Sequence, residues 1–180
     1  MHNVHKPSVP GTYAIYESLR DGVEIGLNGH VRNSHHKDFS VELLSGPHIV
    51  LHVNFRFHHD HIVCLNSASH GNWGPELRHS NPLKHGEHFH LSIKVHSGYY
   101  HISVNGVHLA DFPHRFPVES VQAVGLKGDL HADEITFEGF DFHRDWNAQH
   151  DFGHSGYNSY GTESYVAPSF NEGHSYNAYF

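Results

Sequence analysis

Seven polar or aromatic side chains in the middle of the chain are of types that bind small polar molecules. They are His52, Asn54, Arg56, Asn66, Trp73, Glu76 and Arg78. Asparagine both donates and accepts hydrogen bonds, glutamate only accepts, and arginine offers a rigid fork of donors, so together they suit neighbouring hydroxyl groups. The flat indole suits the C–H face of a sugar ring. The residue types therefore predict a carbohydrate-binding surface.

The spacing of these residues places them on one face of a β-sheet. Successive side chains of a strand point to opposite faces, so His52, Asn54 and Arg56 share a face while Val53 and Phe55 occupy the other. One face is then apolar and fit for a core, and the opposite face carries three hydrogen-bonding groups. The next two runs repeat the pattern, so a hairpin-connected sheet would gather all seven side chains on one surface.

The same residues and their spacing resemble the carbohydrate-recognition signature of the galectins. The resemblance covers about residues 10–140 and includes the stretches 22–29, 104–107 and 112–117. A constellation of seven residues that keeps its spacing is a far stronger signal than a lone short motif. The chain thus resembles a single-domain, nematode-like galectin.

This resemblance implies binding of β-galactosides on glycoproteins or glycolipids, through terminal or internal galactose. In the family, the residues that match His52, Asn54 and Arg56 hydrogen-bond the axial 4-hydroxyl of galactose. The residue that matches Trp73 stacks on the sugar ring. Phe55 stands where most members have proline, which bears on fine specificity.

The resemblance also implies contacts beyond the 4-hydroxyl. The residues that match Asn66 and Glu76 reach the 6-hydroxyl of galactose. Those that match Glu76, Arg78 and Arg56 contact the neighbouring sugar. The segment 57–62 is shorter than in many vertebrate members, and it too bears on which extended glycan is preferred.

The composition excludes several other classes of partner. The 180 residues are 37% hydrophobic, and no run approaches the ~20 apolar residues of a membrane-spanning helix, so no membrane insertion is expected. A formal charge of −8, with the 24 histidines counted as neutral, argues against nucleic acid. One cysteine allows no intramolecular disulfide, and the N-terminal residues do not form a signal peptide. A cytoplasmic location is expected, and the resemblance adds non-classical export from the cell.

Short stretches with period-two alternation run along the chain to about residue 140, separated by turn residues. Asn105-Gly106 is the strongest hairpin signal among them, and no segment of ten or more residues has helical periodicity. The pattern predicts an all-β fold, a two-sheet antiparallel β-sandwich of the jelly-roll, galectin-like kind. The predicted divisions are an irregular N-terminal arm (1–10), a carbohydrate-recognition domain (11–140) and a low-complexity tail (141–180).

The tail is rich in His, Tyr, Gly and Ser and lacks aliphatic residues, so a disordered appendage is expected. Spaced aromatic residues in a polar background are weakly adhesive, which suggests the hypothesis of weak homo-oligomerisation through the tail or a sandwich edge. Trp146 is expected to pack at the edge of the domain rather than to form a second sugar platform.

Three other interpretations are weaker than sugar binding. Residues 58–61 contain three histidines and an aspartate, but structural zinc needs four convergent ligands, so neither a metal site nor a cofactor is expected. A glycoside hydrolase needs two carboxylates, whereas the predicted surface offers only Glu76, so no enzyme is expected. A galectin-fold scaffold without sugar binding is the alternative, and the presence of all seven residues disfavours it. Cys64 is most simply a small residue near the site strands. By strict alternation it shares the Asn66 face, so a partly exposed, oxidisable thiol is the alternative.

Overall fold

The computed structural model describes residues 1–32, 37–58, 60–148 and 154–168, and within them it has thirteen strands in two antiparallel sheets. The strands are β1 (His2–His5), β2 (Gly11–Ala14), β3 (Glu24–Val31), β4 (Phe39–Ser45), β5 (His48–Phe55), β6 (Ile62–Ser69), β7 (Asn72–Trp73), β8 (Leu77–Ser80), β9 (His88–Val95), β10 (Tyr99–Val104), β11 (Val107–Pro113), β12 (Ala123–Gly128) and β13 (Leu130–Glu138). The described part also contains short 3₁₀ turns at Val118–Ser120 and His154–Tyr157. None of its helices is long and apolar enough to cross a membrane.

The two sheets have different roles, and we name them accordingly. The back sheet has the strand order β1-β13-β3-β9-β10-β11. The site sheet has the order β2-β12-β4-β5-β6-β7, and β8 also pairs with β6. The predicted all-β, two-sheet antiparallel sandwich is confirmed.

Aromatic side chains on the inner faces hold the sheets together. The ring of Phe39 on β4 lies 4.8 Å from that of Phe55 on β5 and 5.5 Å from that of Phe89 on β9 in the back sheet. All three side chains are buried, as the period-two alternation predicts. Each such burial contributes about 1.5–3 kcal/mol to folding. The inner face of β5 thus anchors the strand whose outer face carries His52 and Asn54.

The hairpin predicted at Asn105-Gly106 is present between β10 and β11. Both residues have positive φ, 52° for Asn105 and 79° for Gly106, as a type I′ turn requires. This turn matches the right-handed twist of the flanking strands.

The prediction of an irregular N-terminal arm is wrong for its first residues. His2–His5 forms β1, which pairs antiparallel with β13 at the edge of the back sheet. Only Val4 in this strand is apolar, and it packs against the core. A four-residue strand with one apolar side chain has too little alternation to be recognised, and its pairing with β13 is what stabilises it.

The prediction of a disordered tail is wrong for two of its aromatic residues, Tyr157 and Tyr160. Trp146 is 5% exposed and packs with Phe137 and Phe140, at centroid distances of 5.3 and 4.9 Å, so it lies at the domain edge as expected. Tyr157 and Tyr160 are also buried, although no neighbouring run of aliphatic residues in the sequence indicates this. Residues 149–153 and 169–180 of the predicted tail lie outside the described residues.

The segment 154–168, which we call the C-terminal segment, covers part of the outer face of the site sheet. All seven residues of β4 are buried, whereas an antiparallel strand commonly leaves one face in water. Tyr157 and Tyr160 form a second apolar cluster with Leu44 on β4 and Ala123 on β12. A Cβ atom on Gly125 would lie 2.6 Å from the Tyr160 ring, so glycine is required for this close approach. The outer face of β4 and β12 is thus an interior surface.

We expect Trp146→Ala to lower the free energy of unfolding by about 3–5 kcal/mol, because it removes a buried aromatic side chain and leaves a cavity. The matched control is Trp73→Ala, whose side chain is half exposed and whose loss should cost less than ~1 kcal/mol. Urea unfolding followed by circular dichroism measures both. Equal stability of the two variants would contradict the packing of residues 141–148 on the domain.

Candidate functional site

The structure brings the seven predicted residues together on the outer face of the site sheet. His52 and Asn54 lie on β5, Asn66 on β6, Trp73 on β7 and Arg78 on β8, while Arg56 follows β5 and Glu76 lies between β7 and β8. In the strand register, His52 is opposite Asn66. Because β7 and β8 both pair with the same side of β6, the connection between them projects Glu76 beside Trp73.

Two arginines hold the carboxylate of Glu76. Arg78 donates from Nε to Glu76 Oε2 at 2.7 Å, and Arg56 Nη2 lies 3.5 Å from Oε1. The hydrogen bond from Arg78 is the main reason that the pKa of Glu76 lies below its ordinary value, against the opposing effect of burial. The carboxylate is therefore ionised at neutral pH and is placed to accept hydrogen bonds from hydroxyl groups.

The amide of Asn54 is committed to positioning its neighbours. Its Nδ2 donates to Asp38 Oδ2 and to Ser40 Oγ, both at 2.8 Å. Its Oδ1 accepts a 2.8 Å hydrogen bond from Arg56 Nε. This leaves one lone pair on Oδ1 for a ligand, and it orients the remaining donors of Arg56 outward.

Asn66 is held in a similar way by a residue that the sequence interpretation did not single out. Arg115 donates from Nη1 to Asn66 Oδ1 at 2.8 Å, and Asn66 Nδ2 donates to the Gly74 carbonyl at 2.9 Å. Arg115 Nη2 also donates to the Pro75 carbonyl at 2.6 Å. One guanidinium thus fixes both Asn66 and the backbone that carries Glu76, and it leaves one N–H of Asn66 to face a ligand.

A buried carboxylate sets the tautomer of His52. Glu42 on β4 is 0% exposed, and its Oε2 lies 2.5 Å from His52 Nδ1. Burial alone would raise the pKa of Glu42, but the hydrogen bond from His52, the charges of His52 and Lys127 and the hydroxyl of Tyr160 together lower it. An ionised carboxylate only accepts, so Nδ1 carries the proton and, in the neutral ring, Nε2 is an acceptor.

The indole of Trp73 completes the surface. It is 51% exposed, which is unusual for so large an apolar group, and its ring centroid lies 4.8 Å from that of His52. An exposed aromatic plane beside a row of hydrogen-bonding groups is suited to a ligand with one C–H face and several hydroxyls.

The alternative of a partly exposed thiol at Cys64 is wrong, because the side chain is buried. Its side chain does share the outer face, opposite Asn54 and Arg78 in the register, but it is buried. The thiol hydrogen-bonds Glu76, and burial is the main reason that its pKa lies above the ordinary value. Alternation predicted the correct face of the sheet but not the burial of the thiol.

In the part of the chain that the structure describes, two groups of potential metal ligands lie on the back sheet, away from this surface. They are His30, His131 and Asp133, and His101, His108 and Asp111. Both rings of the second group hydrogen-bond the same Asp111 oxygen, at 3.0 and 2.9 Å, so these contacts account for the grouping without an ion. In the histidine-rich stretch 58–61, His59 lies outside the described residues and His61 is exposed.

Comparison with known proteins identifies the family. The sequence model of the galactoside-binding lectins matches residues 10–137. The chain belongs to this family. It is 72% identical to the Caenorhabditis elegans protein named probable galaptin lec-8 over 180 residues, all of both chains. It is 48% identical over 150 residues to probable galaptin lec-7 of that organism, covering 83% of this chain and 84% of the relative.

The solved structures place this galectin in the same fold as its relatives. The crystal structure of galectin LEC-6 from Caenorhabditis elegans superposes with a TM-score of 0.71 at 29% identity, covering 76% of this chain and 96% of the other. The match to the family ends at residue 137, so the aromatic residues of the C-terminal segment are additions to the shared domain. One of them, Tyr160, hydrogen-bonds Glu42 and thereby touches the site.

Three supporting residues of this galectin were missed in the sequence, each for a different reason. Arg115 lies in the stretch 112–117 that carries the resemblance, so its signal was present. Glu42 alternates with the core residues of β4, so the sequence predicted a side chain facing solvent. The residue that covers it, Tyr160, lies 118 residues further along the chain, and no local pattern indicates that contact. Asp38 lies just before β4, outside any alternating stretch, so no sequence pattern indicated that it would accept a hydrogen bond from Asn54.

We expect Arg115→Lys to lower lactose affinity about tenfold, equivalent to ~1.4 kcal/mol, because a single ammonium cannot replace the guanidinium fork that holds Asn66 and Pro75. Calorimetric titration measures this. Arg32→Lys, an exposed arginine beside the back sheet, is the matched control and should leave the affinity unchanged. Identical affinities for both variants would exclude a positioning role for Arg115.

We expect Glu42→Gln to weaken lactose binding about fivefold to tenfold while the chain still folds, because the amide no longer enforces a protonated Nδ1 on His52. Titration should be combined with nitrogen NMR shifts of the His52 ring, which report the tautomer directly. Glu24→Gln is the control, since Glu24 accepts a hydrogen bond from Ser92 on the back sheet. An unchanged tautomer with unchanged affinity would exclude the proposed coupling.

Proposed function

We propose that this galectin binds β-galactosides without chemistry, through the outer face of β5 and β6 and the connection that carries Glu76. The observation that supports it most is the exposed Trp73 indole beside the Glu42-oriented ring of His52. A sugar ring stacked on the indole brings its hydroxyls to His52, Asn54 and Arg56.

The axial 4-hydroxyl of galactose suits the groups that these side chains leave available. The hydroxyl donates to His52 Nε2 or to the free lone pair of Asn54 Oδ1, and it accepts from an outward N–H of Arg56. The equatorial 4-hydroxyl of a glucose epimer points away from this row and leaves the polar groups unpaired. Unpaired buried groups cost about 1–3 kcal/mol each, so discrimination against glucose should be strong.

The patch formed by Arg56, Glu76 and Arg78 is the proposed position of the neighbouring sugar. Its ionised carboxylate accepts from two hydroxyls, and the arginines donate to ring or hydroxyl oxygens. Asn66 offers its remaining N–H to the 6-hydroxyl of galactose. Glycoproteins and glycolipids that display galactose are the proposed partners.

The arrangement gives no support to hydrolysis. Within the described part of the chain, Glu76 is the only one of the seven site residues that is a carboxylate, and its arginine partners keep it ionised rather than ready to donate a proton. Glu42 lies beneath His52 and is fully buried, so a glycosidic bond does not reach it. Binding, rather than turnover, is the function that the geometry supports.

Location and assembly stay predictions. We propose a cytoplasmic protein with non-classical export, which fractionation of cells and medium checks. Tyr157 and Tyr160 are buried within the chain, so these two tail residues do not contribute to weak self-association. Sedimentation over a range of concentrations tests whether the chain associates through other surfaces.

We expect the full chain to bind lactose and to leave cellobiose, its glucose epimer, unbound in calorimetric titration at neutral pH. Trp73→Leu should abolish measurable binding through loss of stacking, and Glu76→Gln through loss of an ionised acceptor. Glu138→Gln, an exposed glutamate of the back sheet, is the control and should bind as the unmodified chain does.

The outcomes separate the proposal from its rival. Lactose binding that disappears in both site variants supports it. Binding retained in either variant would place the site elsewhere on the molecule. Failure of the unmodified chain to bind lactose would overturn the proposal. It would favour a scaffold protein that has kept the galectin fold and lost sugar binding.

A further inference from the structure

Three histidines lie side by side on the outer face of the back sheet, one on each of three adjacent strands. His131 on β13 pairs with His30 on β3, and His30 pairs with His88 on β9. Residues directly opposite each other on antiparallel strands have Cβ atoms about 4.5–5.5 Å apart, so the register itself brings the rings together. The ring centroid of His30 lies 4.6 Å from that of His131 and 4.8 Å from that of His88. We call these three residues the histidine row.

A carboxylate lies beside this row. Asp133 follows His131 by two residues on β13, so the two side chains share the outer face. The pairing of β13 with β3 is irregular between Ala132 and Glu134, and Asp133 is the extra residue of this bulge. One ligand atom from each of His30, His131 and Asp133 lies within 4.8 Å of the other two. The bulge thus adds an oxygen ligand to a group of imidazole nitrogens.

The polar atoms of this group are not satisfied by one another. His131 Nε2 lies 3.4 Å from Asp133 Oδ1, which is longer than the about 2.7–3.2 Å of an N–H···O hydrogen bond. His30 Nδ1 is buried and makes no hydrogen bond within the described part of the chain. In the other group of potential ligands, by contrast, both rings hydrogen-bond the Asp111 carboxylate. The two groups therefore differ, because only the histidine row keeps lone pairs that its own contacts do not use.

The surroundings of His30 favour its neutral ring, which is the form that ligates a metal ion. Burial lowers the pKa of His30, and the neighbouring rings of His131 and His88 lower it further, while Asp133 acts in the opposite direction. Arg32 also lowers it, so a fixed cation lies near the group. Since that guanidinium repels a metal ion, binding here depends on imidazole ligation rather than on a surplus of negative charge.

We propose that the histidine row and Asp133 form a binding site for one divalent transition-metal ion of the kind that imidazole prefers, such as Zn²⁺ or Cu²⁺. Three histidines with one further ligand are a common zinc set, and His30, His131, His88 and Asp133 supply four groups. Magnesium and calcium need mostly oxygen ligands, so a site with one carboxylate rejects them.

The ligands reach an ion with small side-chain movements. Tetrahedral zinc with Zn–N bonds of about 2.0–2.1 Å holds its ligand atoms about 3.4 Å apart, closer than the spacing in the ion-free group. The side chains of His131 and Asp133 are 48% and 47% exposed, so their rotation towards His30 is not blocked by packing. An ion held in this way cross-links β13, β3 and β9 and stabilises the back sheet. The inference does not rest on sugar binding, which uses the outer face of the other sheet.

The test is calorimetric titration of the full chain with Zn²⁺ at pH 7.5, with Mg²⁺ as the hard-cation control. One equivalent of zinc should bind more tightly than any further ions and should shift the ring nitrogen resonances of His30, His131 and His88 in NMR. A hundredfold excess over the dissociation constant should raise the melting temperature by about 5 °C or more. Magnesium should produce none of these changes.

Variants assign the tightest zinc ion to this group, since a chain with 24 histidines offers other weak sites. His131→Gln and Asp133→Asn change exposed side chains and should each weaken the tightest binding about tenfold or more, as loss of even an outer-shell partner costs 10–100-fold. His30→Gln should do the same, and circular dichroism checks that it folds. The matched controls are His101→Gln and His108→Gln, which remove imidazoles from the other group on the same sheet and should leave the tightest binding unchanged.

The outcomes decide between this site and its rivals. Tightest binding that is weakened by the His131 and Asp133 variants and kept in the control variants supports the proposal. Loss of that binding in the His101 or His108 variant instead would assign the ion to the other group and overturn it. Equal zinc affinity in every variant, or no one-to-one binding in the unmodified chain, would also overturn it.

Discussion

The burial of the Glu42 carboxylate is the constraint on which the site and its surroundings depend. A fully buried charge must be paired and hydrogen-bonded, since the energetic penalty of leaving it unpaired is several kcal/mol. Glu42 meets this requirement with His52 on β5, Lys127 on β12 and Tyr160 of the C-terminal segment. One carboxylate therefore joins three separate parts of the chain, and it does so directly beneath the ring of His52. The orientation of His52 and the position of the C-terminal segment are consequently linked.

The remaining site groups are organised by the same principle of satisfied polar contacts. Asn54 and Asn66 each spend most of their hydrogen-bonding capacity inside the protein, on Arg56 and Asp38 in one case and on Arg115 and the Gly74 carbonyl in the other. What remains for a ligand is a few donors and acceptors in fixed directions. The side chains of such a surface lose little conformational entropy on binding. A hydroxyl in the wrong orientation leaves their donors and acceptors unpaired, so such a ligand binds weakly.

The C-terminal segment changes the shape of a domain whose family match ends before it. By covering the outer face of β4, it turns a strand with one solvated face into a fully buried one and supplies the far wall of a pocket beside Trp73. The covering residues are tyrosines, whose rings supply apolar area while their hydroxyls satisfy Glu42, Gln122 and the Gly46 amide. The difference between this galectin and a minimal sandwich therefore lies beside Glu42 and Trp73.

Local patterns in the sequence determined the sandwich, the Asn105-Gly106 hairpin and the shared face of His52, Asn54 and Arg56, because period-two alternation and turn chemistry act between near neighbours. The ionised state of Glu76 followed in the same way from its two arginines. Tertiary structure alone decided that Cys64 is buried, that His2–His5 is a strand, and that Tyr157 and Tyr160 pack rather than hang free. The strand and the two tyrosines depend on partners distant in sequence, β13 for His2–His5 and the outer face of β4 and β12 for Tyr157 and Tyr160. The burial of Cys64 depends on side-chain packing around the thiol, which alternation along a strand does not encode.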